Sequence, residues 1–134
     1  MPGERGDTMI VDRSESHFIF VFHYDHIYRN YNYINYQGKP LTNKEYLEHW
    51  GKFGIFGAVE EHYELAKKLD PYVEKKMIPC IKFGRTPVEK LQMKECVMCV
   101  YCDDRQRDEV WEILNEHGVE LRAWAYEKIG KAHV

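Results

Sequence analysis

The chain has 134 residues, 44% of them hydrophobic and 31% charged, and a formal net charge of -3. That is one domain of ordinary globular composition, long enough to bury a core without disulfide or metal staples. The charge excludes the overall basic character of many DNA-binding domains, no run approaches the ~20 apolar residues of a membrane span, and the first residues lack the apolar stretch of a secretory signal. The expectation is a cytoplasmic protein that engages neither membrane nor DNA.

In chain order, residues 1–15 are polar and read as a flexible N-terminal arm, residues 16–128 as a single α+β domain, and residues 129–134 as a polar tail. His17 to His23 is almost wholly apolar and rich in phenylalanine, which suits a strand covered on both faces. Residues 24–30 connect it to a second strand over 31–36, closing a hairpin that Gly38 and Pro40 end. Thr42 and Glu45 match a capping box, predicting a short helix over 43–50 stopped by Gly51. A strand over 52–57 leads into an amphipathic helix over 58–69, whose apolar face is Val59, His62, Tyr63, Ala66 and Leu69. Asp70-Pro71 ends that helix, with a further half-turn over 72–75.

A strand over 77–83 follows, Pro79 marking a sheet edge or a strand start. Residues 84–95 form a basic loop, and 96–102 an all-apolar strand. Asp103 or Asp104 caps a helix to His117 that faces the core with Val110, Trp111 and Leu114 and stops at Gly118. In the last strand, 119–126, Val119, Leu121, Ala123 and Ala125 alternate with Glu120, Arg122, Trp124 and Tyr126. Two strand–helix–strand units behind a hairpin imply a curved, mostly antiparallel sheet with two or three helices on one face.

Several motifs invite a chemical reading. Cys96-x-x-Cys99-x-x-Cys102 has the spacing of part of an iron–sulfur run. Its intervening residues are those of a strand, and a strand turns Cys96 and Cys102 to one face and Cys99 to the other, so the three cannot share a metal. Cys99 and Cys102 would form a redox pair only at a helix start, and Cys102 lies just before one. His23, Asp25 and His26 could begin a metal site that His49 or His62 completes, but no sharp spacing supports it. Gly51, Gly54 and Gly57 lack the dinucleotide fingerprint and fit a helix end, a bulge and a strand end. No cofactor motif and no nucleophile–base order is present. Asp103-Asp104 and Glu60-Glu61 are the acids a helix start favours.

The densest signal is aromatic: Tyr24, Tyr28, Tyr31, Tyr33 and Tyr36 are half of the chain's 10 tyrosines. Packing across the hairpin accounts for some of them. The rest could line a groove, since aromatic faces stack nucleobases, with Arg29, Lys82 and Arg85 supplying positive charge for phosphate, and Lys90 and Lys94 adding to it.

Gly51-Lys52-Phe53-x-Ile55-Phe56, then a helix, Cys80-Ile81-Lys82-Phe83, then Val97-x-Cys99-Val100-Tyr101-x-Asp103-Asp104 and Asp108-Glu109-Val110-Trp111 together resemble the uncharacterised family named after a basophilic leukaemia-expressed protein. The resemblance spans about two-thirds of the chain and rests on structural motifs. It implies a fold similar to the messenger-RNA cap-binding translation initiation factors, which hold the cap base between two tryptophans beside a glutamate. Where that family has Gly-Lys-Trp this chain has Gly51-Lys52-Phe53, and its first hairpin carries tyrosines and no tryptophan.

Three functions follow as expectations: a non-enzymatic module binding a nucleotide or single-stranded RNA through Tyr24, Tyr28, Arg29, Tyr31, Tyr33, Tyr36, Lys82 and Arg85; a protein–protein adaptor or homodimer with a tyrosine-rich interface or an exposed edge at Pro79; and a small metal- or thiol-dependent enzyme using His23, His26 and the cysteines.

Overall fold

A computed structural model describes residues 8–13, 16–22, 35–36, 39–40, 49–86 and 95–127. Its elements are β1 (Ile10–Val11), β2 (Phe18–Phe22), β3 (Asn35–Tyr36), β4 (Lys39–Pro40), β5 (Trp50–Gly57), α1 (Val59–Glu74), β6 (Cys80–Gly84), β7 (Cys96–Asp103), α2 (Arg107–Glu116) and β8 (Trp124–Tyr126). Six strands form one curved antiparallel sheet in the order β1-β2-β6-β7-β5-β8, the expected α+β architecture. None of the described helices is long and apolar enough to cross a membrane.

Register decides which side chains form the core. Ile19 stands opposite Phe83 and Val21 opposite Ile81, while Ile81 and Phe83 face Val100 and Met98, which in turn face Phe53 and Ile55. All but the half-buried Ile55 are at most 1% exposed, and they share one cluster with Ala66, Leu69 and Val73 of α1 and Val110, Ile113 and Leu114 of α2. The described helices α1 and α2 therefore cover the same face. Cys102 is buried in that set, Cys96 is buried on the same face of β7, and Cys99 is turned to the opposite face, as the strand alternation requires.

The elements differ from expectation at several points. Residues 8–13 join the fold: Ile10–Val11 pairs with β2, Met9 is 1% exposed, and the Asp70 carboxylate of α1 accepts hydrogen bonds from the Thr8 hydroxyl at 2.5 Å and the Met9 N–H at 2.8 Å. The described end of the expected second strand, Asn35–Tyr36, pairs with Lys39–Pro40 in a separate two-stranded sheet, so Pro40 belongs to a strand; residues 23–34 lie outside the described residues. His49 is helical, as the expected helix over 43–50 requires, and Trp50 already opens β5; residues 43–48 lie outside the described residues. Helix α1 continues through Pro71 to Glu74. Pro71 sits on the exposed side, where water can meet the Lys67 carbonyl left without its N–H donor, while Leu69 and Val73 on the inner side anchor both halves.

Helix α2 starts at Arg107, later than expected, because Asp103 and Asp104 shape a turn ahead of it. Asp103 is 0% exposed; its carboxylate accepts the Arg105 N–H at 2.8 Å and both arms of the Arg105 guanidinium at 2.9 and 2.7 Å. Gly118, at φ +99°, closes α2 as expected, in a conformation that favours glycine. The last strand is only Trp124–Tyr126, and Trp124 opposite Phe53 lies on the core side while Leu121 is 65% exposed. Strand β6 begins just after Pro79 and runs between β2 and β7, so Pro79 marks a strand start and offers no free edge.

His62, on the inner face of α1, is 2% exposed. Burial lowers its pKa from the ordinary 6.5, against the opposing pull of Glu61 and Glu95. Above that value His62 is neutral in both folded and unfolded chains and adds no pH dependence. As pH falls through 6.5 the unfolded chain takes up a proton that the fold resists, so stability is lost, at up to about 1.4 kcal/mol per pH unit. Urea unfolding of the wild type and His62→Phe should therefore separate more at pH 5.5 than at pH 7.5, the phenylalanine variant losing less on acidification.

Candidate functional site

The face of the sheet away from α1 and α2 carries the alternate side chains of each strand, most of them half-buried and Trp50 buried. On β2, Phe18, Phe20 and Phe22 project there as a ladder, with ring centroids 6.4 and 6.1 Å apart. An apolar run reads as a strand buried on both faces; here one face is core and the other presents aromatic rings, Phe18 being 41% exposed. Crossing the sheet from Phe20, the register runs through Lys82 and Cys99 to Gly54. The next row runs from Phe22 through Cys80 and Tyr101 to Lys52. Trp50 closes the far side, its ring stacked on Tyr101 at 5.6 Å and 8°.

Small residues thus floor a trough between two aromatic walls. A Cβ placed on Gly54 would meet nothing within 4 Å, so the glycine leaves open space in the floor. Along the β2 wall runs a groove of about 340 Å³ lined by Val11, Arg13, Ser16, Phe18, Phe20 and Phe22. The Lys82 ammonium stands 4.6 Å from the Phe18 ring centre, and the exposed Arg13 lies at the groove's mouth. Lys52 pairs with Glu127 at 2.5 Å. With Lys52 neutralised by Glu127, Lys82 and Arg13 supply positive charge beside the β2 rings, although the chain as a whole is acidic.

Of the residues singled out on the sequence, Lys82 lies in this trough. Arg85, at the end of β6, serves a different purpose: its guanidinium pairs with Asp12 and donates to the carbonyls of Ser16 at 2.8 Å and Arg13 at 2.6 Å. It clamps the N-terminal segment to the sheet, and its donors are committed there. Tyr24, Tyr28, Arg29, Tyr31 and Tyr33 lie outside the described residues, as do His23, Asp25, His26, Lys90 and Lys94; Tyr36 is placed on β3. Phe18, Phe20, Phe22, Tyr101 and Trp50 escaped sequence reading because a phenylalanine run looks like core. The one available signal was alternation: Ile19 and Val21 supply the branched residues of an inner face, leaving the aromatics to the other.

Metal chemistry finds one grouping among the described residues: ligand atoms of His49, Asp103 and Asp104 lie within 4.8 Å of one another. Arg105 already holds both oxygens of Asp103, and Asp104 accepts the Tyr126 hydroxyl at 2.8 Å beside His49 Nδ1 at 3.0 Å. These groups satisfy each other, and His62 lies apart from them on α1.

Two of the four thiols, Cys80 and Cys102, are poorly suited to nucleophilic work. Burial pushes the Cys80 thiol up to about 12, Lys82 only partly opposing it, and burial likewise raises Cys102 strongly. Tyr101 is raised too, by burial first and then by the neighbouring Cys99. Because the thiolate is the reactive form, Ellman's reagent at pH 8 should label Cys80 and Cys102 in the folded protein at least about 100-fold more slowly than in urea. Fast labelling of either in the native state would contradict this environment. No family model, curated protein or solved structure matches this chain.

Proposed function

We propose that the chain is a cytoplasmic, non-enzymatic binding module that takes a nucleotide or single-stranded RNA on the open face of its sheet. The observation that carries this reading is the Phe18–Phe20–Phe22 ladder with Lys82 beside it on one face. Sheets that bind single-stranded nucleic acid use such rings as stacking platforms, tolerant of sequence because every base has a π face, with cations set along the backbone's path. Spacings of 6.4 and 6.1 Å admit successive unstacked bases, and Lys82 and Arg13 supply the charge.

The resemblance of the segments around Gly51-Lys52-Phe53, Cys80–Phe83 and Val97–Trp111 to the basophilic leukaemia-expressed family, and through it to cap-binding factors, supports the same ligand class. The site proposed here rests on Phe18, Phe20 and Lys82 in place of the tryptophans those factors use. Fluorescence anisotropy with labelled oligouridine, competed by mononucleotides, tests the reading. Saturable binding that weakens with salt is expected; Lys82→Ala should lower affinity and reduce the salt slope by about 1. Binding that does not respond to salt, or no binding to either ligand, would remove the proposal.

A further inference from the structure

A second opening lies at the end of β5 beyond its pairing with β8, bordering the trough at Gly54. A cleft of about 500 Å³ lies between the end of β5, the first turns of α1 and the chain following α2, with Phe56, Glu61, His62, Leu65, Glu120 and Leu121 in its wall. In it sits an unexplained group. His62 is 2% exposed, and neither ring nitrogen makes a well-formed hydrogen bond, the Ile55 backbone being the one hydrogen-bonding group that acts on it. Its ring meets Phe83 edge-on at 6.0 Å, a contact phenylalanine would make as well, so packing does not account for an imidazole. A buried polar group left unpaired weakens a fold.

The nearest polar neighbourhood is defined by Gly57. A Cβ there would stand 3.5 Å from His62 Nε2 and 3.0 Å from Glu61 Oε1. The missing side chain thus leaves a small corner onto which an imidazole nitrogen and a carboxylate both face. Glu61 already accepts the Ala58 N–H at 2.8 Å and keeps its remaining acceptor sites. A neutral imidazole offers an acceptor nitrogen in the same corner. Around it the surface is apolar and acidic together: Phe56 is 43% and Leu121 65% exposed, and Glu61, Glu64 and Glu120 outnumber Lys68 on the walls. Two acceptors, negative charge and exposed apolar walls describe a site for a donor-rich cation with an apolar body.

We propose that this cleft binds a small organic ammonium ion, its N–H groups donating to Glu61 and His62 in the Gly57 corner and its apolar part lying on Phe56, Leu65 and Leu121. A metal ion is the poorer fit, because the metal-capable grouping found among the described residues is the separate one at His49. The volume is in the range of small-molecule sites.

The test is an NMR titration of the full chain with 2-phenylethylamine at pH 7.5, against 2-phenylethanol and phenylacetate as neutral and anionic counterparts. The amine should shift the amides of Gly57, Glu61 and Leu121 saturably, at least about tenfold more tightly than the alcohol, with no saturable response to the acid. Gly57→Ala fills the corner and should abolish the amine's binding while preserving the spectrum elsewhere. His62→Phe keeps the ring packing and removes the acceptor, and should cut the amine's preference over the alcohol at least threefold, a readout that survives if Gly57→Ala does not fold. No saturable shift with the amine, equal affinity for the alcohol, or unchanged amine binding in a folded Gly57→Ala or His62→Phe variant would overturn the assignment.

Discussion

Gly51→Ala should destabilise the protein by about 3 kcal/mol, lowering its melting temperature on the order of 10 °C, although the change adds one methyl group. Gly51 lies on the core face of β5, opposite Cys102 on one side and Tyr126 on the other. An added Cβ would fall 2.2 Å from Cζ2 and 2.6 Å from Cη2 of Trp124, and 2.9 Å from the Ala125 carbonyl oxygen. The indole has little room to retreat: it meets Phe53 edge-on at 5.0 Å and Tyr126 at 5.7 Å, and the Arg107 guanidinium covers it at 5.5 Å. Displacing it would unseat β8 from the sheet edge. The pair should behave as one unit, so Gly51→Ala combined with Trp124→Ala should cost at least about 1 kcal/mol less than the sum of the two singly. Additive costs in chemical denaturation would show that the ring does not occupy the glycine's place.

The double variant Phe18→Ala/Phe20→Ala should lose at least about 2 kcal/mol of oligouridine affinity, roughly 30-fold, while remaining folded. Each ring can stack one base, and removal of a stacking ring costs about 1–3 kcal/mol. The stability penalty is smaller than for a core phenylalanine because Phe18 is 41% exposed and Phe20 half-buried, whereas Phe53 and Phe83 are at most 1% exposed. Phe53→Ala would confuse the two effects; Phe18 and Phe20 separate them. A double variant that binds as tightly as the wild type would show that the ladder is packing.

Fold class was legible because periodicity was strong where packing is strong. Ala66, Leu69 and Val110, Leu114 mark helix faces, and Cys96 to Cys102 alternates as a strand must. What escaped depends on contacts distant in sequence. Met9 is buried because Asp70, far along the chain, accepts its N–H. Helix α1 passes Pro71 because Leu69 and Val73 bind the core on either side of it. Gly51 reads as a helix stop until Trp124 is seen to occupy its missing side chain. The site was less legible still. Composition drew attention to tyrosines, whereas the rings on this face are phenylalanines placed there by sheet register, on the side opposite α1 and α2.

The central claim is that the open sheet face binds single-stranded nucleic acid, and the most direct measurement is amide chemical-shift mapping of the full chain titrated with oligouridine. The account predicts saturable shifts concentrated on Phe18–Phe22, Lys82 and Cys99, with α1 and α2 unmoved. Shifts confined to the helices, or none at millimolar oligonucleotide, would contradict it.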